Sequence, residues 1–153
     1  MRKSVIVSNR LPLQISKLEN SFLFQPSSGG LATGLDSLHK NNDSIWVGWS
    51  GITSDELTKK NKLEIKNTLD DLRLVEVELN QKEVDEFYHG LSNKCIWPLF
   101  HYFIELAKFN EVDWLTYVDV NKKFCERVIQ NTEQNGVVWV HDYQLMLLPK
   151  LIK

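Results

Sequence analysis

Cysteine, histidine clusters and charge of one sign are all scarce in this 153-residue chain. The two cysteines, Cys95 and Cys125, form neither a disulfide framework nor a metal-ligand pattern, so a reducing cytoplasm is the default location. His39, His89, His101 and His141 are too scattered to suggest a zinc site. Eighteen Lys and Arg against 20 Asp and Glu give a net charge of −2 and an isoelectric point near 6.1. That leaves no basic excess for a broad nucleic-acid footprint. No run approaches the roughly 18 apolar residues of a membrane span. Val5-Ile6-Val7 is too short for a signal-peptide core. Repeats, low-complexity tracts and linkers are missing as well. No Ser or Cys sits in a recognisable nucleophile elbow, so a nucleophilic triad is unsupported.

What is present is a one-domain length, 42% hydrophobic and rich in tryptophan, with Trp46, Trp49, Trp97, Trp114 and Trp139. Buried indoles need hydrogen-bond partners. Five of them fit either a well-filled core or a surface that stacks on sugar rings.

Val5–Val7 reads as a buried parallel strand that ends before Pro12. Residues 13–26 alternate as a hairpin turning at Glu19-Asn20. A helix is expected over about Leu31–Lys40, a strand at Ile45–Trp49, and a polar helix opening at Ser54–Leu57. A third strand is expected over Leu72–Leu79. Asn80 with Glu83 resembles a capping box for a helix that breaks near Gly90. Trp97-Pro98 marks a further boundary. Trp114, Tyr117, Val118, Phe124, Cys125, Val128 and Ile129 fit one buried face of a long helix. Val137–Val140 is a fourth strand, and Leu145–Ile152 starts a helix. Strands alternating with helices give an α/β class with a mainly parallel sheet.

Such sheets bind ligands beyond the carboxyl ends of their strands, which selects Arg10, Trp49, His141-Asp142 and the Gly29-Gly30 loop. The glycines before a helix bring backbone N–H groups close to an anion, or they form a plain tight loop. Arg10 is either a phosphate clamp or a surface arginine. Asp142 binds hydroxyls, caps the last helix, or does both. Tyr88 and Trp97 flank the glycine break and are either core or an exposed wall.

Six segments, in order, carry a resemblance. They are Val7-Ser8-Asn9-Arg10-Leu11-Pro12, Ser28-Gly29-Gly30-Leu31-Ala32-Thr33-Gly34-Leu35 and Trp46-Val47-Gly48-Trp49-Ser50-Gly51. Phe87-Tyr88-His89-Gly90 with Ser92-Asn93-Lys94, Ile96 to Tyr102, and Val138 to Pro149 complete the set. With these the chain resembles the N-terminal part of the trehalose-6-phosphate synthase family, retaining GT-B glycosyltransferases of family 20. The match spans nearly the whole chain, apart from 13–25 and 52–80.

The resemblance implies two Rossmann-like domains facing a cleft, of which residues 1–153 are an incomplete N-terminal, acceptor-side domain and the C-terminal donor-binding domain is absent. It implies glucose transfer from UDP-glucose to glucose 6-phosphate, without cofactor or metal. Arg10 would hold the acceptor phosphate. Trp49, Tyr88 and Trp97 would line the acceptor pocket, and Asp142 would bind acceptor hydroxyls at the reacting end. Gly29 and Gly30 would approach the donor phosphates. Trp114 stays with the core. The isolated chain is expected to be inactive, and an uncovered sheet edge invites homo-oligomers. A non-catalytic sugar-phosphate-binding module and a GT-B transferase with another acceptor are the alternative readings.

Overall fold

A computed structural model describes residues 4–19, 21–42 and 44–153. Asn20 of the expected hairpin turn lies outside the described residues. The strands β1 (Ser4–Arg10), β4 (Ile45–Trp49), β5 (Leu74–Glu76) and β6 (Val137–Val140) form one sheet in the order β5-β4-β1-β6, every pair parallel. A two-stranded antiparallel hairpin, β2 (Leu13–Lys17) with β3 (Phe22–Pro26), returns the chain to its starting point. There the Ser27 N–H donates to the Pro12 carbonyl at 2.8 Å. Helix α1 (Gly30–Asn41) therefore begins beside the carboxyl end of β1.

Both faces of the sheet are covered along β5, β4 and β1, which explains their apolar sequences, while Val137 and Trp139 of the edge strand β6 are exposed. Val5, Val7, Val47 and Trp49 pack into one core with Phe87, Leu91, Tyr117 and Phe124. Ile6, Trp46 and Leu74 pack into the other with Ile65 and Leu69 of α2 (Lys59–Asp71). Gly48 carries no side chain because the chain leaving β1 crosses over it. A Cβ there would lie 2.9 Å from the Leu11 amide nitrogen.

Several local expectations change. The third strand is only Leu74–Glu76, because Arg73 adopts φ +55° and breaks the extended run at its start. Ser54–Glu56 is one 3₁₀ turn, and the helix proper starts at Lys59 behind a Thr58–Asn61 capping box. Residues 145–152 hold a 3₁₀ turn (Tyr143–Leu145) and a short α6 (Leu148–Leu151) rather than one helix. The Asn80–Glu83 capping box forms as expected: Asn80 accepts from the Glu83 N–H at 2.8 Å, and Glu83 accepts from the Asn80 N–H at 3.0 Å.

The helix does not break at Gly90. Helical structure runs without interruption from α3 (Gln81–Glu83) through a helix of wide i→i+5 turns (Val84–Ile96) into α4 (Trp97–Phe100). Gly90 is a packing requirement, since a Cβ there would come within 2.6 Å of the Asp113 carboxylate on α5 (Glu111–Asn131). Wide turns of this kind are frequent at functional sites. Two residues of the expected buried face of α5 are also at the surface: Trp114 is 38% exposed, and Ile129 is exposed as well. Trp114 lies over Tyr117 (6.0 Å between centroids, 15° between planes), so it caps the core from outside.

Candidate active site at the carboxyl ends of the strands

Arg10 closes β1 and, after a shift in register beyond Val7, pairs with Trp49, the last residue of β4. Its guanidinium sits 4.4 Å over the Trp49 ring. Trp49 is itself buried and fixed by its indole N–H, which donates to the Ile52 carbonyl at 2.8 Å. The other neighbour is Gly51, held at φ +96°, where a Cβ would lie 2.5 Å from Arg10 Nη2. Among the described residues no carboxylate pairs with Arg10. Burial lowers its pKa from the ordinary arginine value, with Tyr88 opposing the shift. A half-buried guanidinium braced against an indole, with its donors unclaimed, is suited to an incoming phosphate.

Tyr88 and Trp97 project from the continuous helical run. Tyr88 meets Trp49 edge-on, with ring centroids 6.4 Å apart. Trp97 is 48% exposed and packs against His101 at 3.8 Å and Tyr143 at 5.6 Å. Trp97 is exposed and Tyr88 partly so on an unbroken helix, so the glycine break that would have exposed them is not needed.

Asp142 follows β6 with φ +72°, a conformation seldom taken by residues other than glycine. Two contacts hold it. The His141 N–H donates to the Val7 carbonyl at 2.8 Å, and the Asn9 N–H donates to Asp142 Oδ2 at 2.8 Å. Its side chain makes no cap bond to the turn that follows, so the helix-cap alternative does not hold. Asn9 Oδ1 and His141 Nε2 are buried with no hydrogen-bond partner. Burial lowers the pKa of His141, with Asp142 opposing.

Arg10, Trp49 and Tyr88 thus form one series of ring contacts, Trp97 reaches Asp142 through its neighbour Tyr143, and the bond from Asn9 to Asp142 joins the two groups. Gly29 and Gly30 are not in that chain of contacts. Gly29 is the residue before α1, that helix start has no side-chain cap and no acidic residue, and a Cβ on Gly30 would meet open space. The free N–H groups of the first turn are available to an anion.

Sequence reasoning missed the supporting residues. Tyr143 donates its hydroxyl to Asn93 Oδ1 at 2.9 Å, and its carbonyl accepts from the Tyr117 hydroxyl at 2.8 Å. Burial pushes the Tyr117 phenol up to about 12, which keeps it a neutral donor. Gly51 reads as a strand breaker in the sequence. Only its positive φ and its contact with Arg10 disclose a second role.

The sequence model of glycosyltransferase family 20 matches residues 2–153. The Candida albicans α,α-trehalose-phosphate synthase (UDP-forming) is 40% identical over 154 residues, covering 99% of this chain and 31% of that protein. An E. coli trehalose-6-phosphate structure bound with UDP-2-fluoro glucose superposes with a TM-score of 0.71 at 27% identity, over 98% of this chain and 30% of that one. The Burkholderia xenovorans α,α-trehalose-phosphate synthase (UDP-forming) in complex with glucose-6-phosphate gives 0.70 at 26% identity, over 98% and 30%. The chain spans about a third of the length of these relatives. With a Rossmann-like parallel sheet, its carboxyl-end cluster and a family match over nearly every residue, the chain belongs to glycosyltransferase family 20.

Proposed function

We propose that residues 1–153 are the acceptor-side part of a UDP-forming trehalose-phosphate synthase, binding glucose 6-phosphate for attack on UDP-glucose. The observation that carries this reading is Arg10, braced between Trp49 and Gly51, free of carboxylates, and beside Tyr88. Arg10 takes the sugar phosphate through charge-assisted hydrogen bonds. Trp49 backs the guanidinium, while Tyr88 and Trp97 form the wall along the hexose. Asp142 accepts from the hydroxyls at the reacting end and orients the nucleophilic oxygen. Gly29 and Gly30 lead the free N–H groups of α1 toward the donor diphosphate. This chain corresponds to 31% of the Candida albicans relative, and the grip on the remainder of UDP-glucose would come from sequence that corresponds to the rest of it.

In this reading the acceleration comes from positioning and from electrostatic stabilisation of the departing UDP. The chain alone therefore binds without turning over. Its two free, buried cysteines suit a reducing cytoplasm. Among the described residues no helix is long and apolar enough to cross a membrane. The exposed apolar stretch through Tyr102, Phe103, Ile104 and Phe109, with Trp139 on the β6 edge, supports association between copies.

The test is an NMR titration with glucose 6-phosphate, alongside a coupled assay for UDP release. Resonances of Arg10 and Tyr88 should shift, and Arg10→Ala should lower affinity by at least about tenfold. No response in the wild-type chain at millimolar sugar phosphate would remove the acceptor assignment. Measurable UDP release from the purified chain would remove the claim that a second domain is essential.

A further inference from the structure

Asp142 and the aromatic wall reach the site from different parts of the fold. Asp142 ends a strand of the sheet, whereas Tyr88 and Trp97 ride on the helical run that packs over it. Whatever sets the distance between them sets the length of hexose that the site accepts.

One residue bridges the two. Tyr143 is the immediate neighbour of Asp142. Its ring packs on Trp97 at 5.6 Å and on Phe100 at 6.2 Å. Its hydroxyl donates to Asn93 Oδ1, midway along the helix between Tyr88 and Trp97. Its carbonyl is held from behind by Tyr117 of α5, whose hydroxyl also accepts from the Met146 N–H at 3.1 Å. On the opposite side, the Asn9 N–H, near the end of β1, holds the Asp142 carboxylate.

We infer that Tyr143 is a positioning residue, and that its hydroxyl bond to Asn93 clasps the helix bearing Tyr88 and Trp97 to the Asp142 corner. The inference rests on the acceptor reading and adds to it. Arg10 alone suffices for a bare phosphate, while recognition of the whole sugar phosphate requires wall and corner at a fixed spacing. The positive φ of Asp142 fits this arrangement, because a strained corner persists only when its surroundings over-determine it.

The experiment compares the wild-type chain with Tyr143→Phe, Asn93→Ala and the double variant. Each is titrated with glucose 6-phosphate and, separately, with inorganic phosphate. The phenylalanine keeps the ring contacts and removes only the hydroxyl. Each single variant should weaken glucose 6-phosphate binding about five- to tenfold, the double no more than either single, and inorganic phosphate binding should stay within about twofold. Without ligand, the Asn9 amide resonance should shift in Tyr143→Phe, since its acceptor is carried by the clasped corner. Equal losses for both ligands would reduce Tyr143 to general structural support and overturn the inference. So would additive single losses, or an unmoved Asn9 amide. A wild-type chain that ignores glucose 6-phosphate while the Asn9 amide still shifts in Tyr143→Phe would overturn the acceptor reading instead. It would leave the clasp standing only as a structural contact and end its role in sugar recognition.

Discussion

The two faces of the sheet are built to different depths. One buries 18 apolar residues among those described, drawn from the wide-turned helix, α5 and the turn after β6. The other buries 8, from α2, the hairpin and the strands, with Leu35 and Leu38 of α1 only partly buried. Tyr88 and Tyr143 pack against the deep core, so the proposed acceptor wall and the Asp142 corner are mounted on that face. The glycine loop opens α1 on the shallow face, where the buried residues of that helix are only Ala32 and His39. In the proposed reading, fixed geometry for a small sugar would draw on the thick face, whereas a backbone contact to a diphosphate would need only a helix start.

A paired truncation, one on each face, has the largest expected effect. Phe87 is fully buried on the deep face, beside Tyr88 and against Tyr117 at 5.6 Å. Phe87→Ala should cost about 3–5 kcal/mol in urea unfolding and abolish the sugar-phosphate response. Ile65 is equally buried on the shallow face, and Ile65→Ala should cost about 2–5 kcal/mol. Folded molecules of that variant should keep wild-type affinity. If both variants lose binding in proportion to stability, the faces do not divide the work.

A smaller effect is expected at Gly51. Alanine there strains φ +96° and meets the guanidinium, so Gly51→Ala should fold, lose about 1–3 kcal/mol, and bind inorganic phosphate several-fold more weakly. Unchanged phosphate affinity would show that Arg10 needs no seat.

The smallest effect belongs to the shallow face. His39 is buried, hydrogen-bonded through Nδ1 to Ser44 and through Nε2 to the Leu72 carbonyl. Burial chiefly lowers its pKa, so the unfolded chain binds its proton first as pH falls. This contribution is complete above the ordinary histidine value near 6.5 and is lost as pH drops from there toward the lowered folded value. The difference in unfolding free energy between wild type and His39→Gln should therefore shrink on acidification below about pH 6.5. A pH-independent difference would mean that the site holds charged and neutral imidazole alike.

The strands, the hairpin, the capping box at Asn80 and the clustering of Arg10, Trp49 and Asp142 at strand ends were legible, because each follows from local pattern or from the carboxyl-end rule. Gly90 was misleading because a glycine inside a helix reads as a stop, and nothing nearby in the sequence shows that Asp113 needs the space. Trp114 and Ile129 were misleading because periodicity marks a helix face but not how far its partner extends. Tyr143 and Asn93 stood inside quoted motifs, yet 50 positions separate them, and only the fold brings their side chains together.

The hydrogen bond from Asn9 to Asp142 joins residues 133 positions apart. During synthesis at about 5–20 residues per second, Asn9 waits roughly 7–27 seconds before its partner is even added to the chain. β4 is complete only 40 residues after Asn9, so for the remainder of that interval β1 can pair with β4, and Arg10 can meet Trp49, while β6 is still missing. Under the proposed acceptor reading, the residues of the phosphate seat are therefore all synthesised before the corner that would read the sugar.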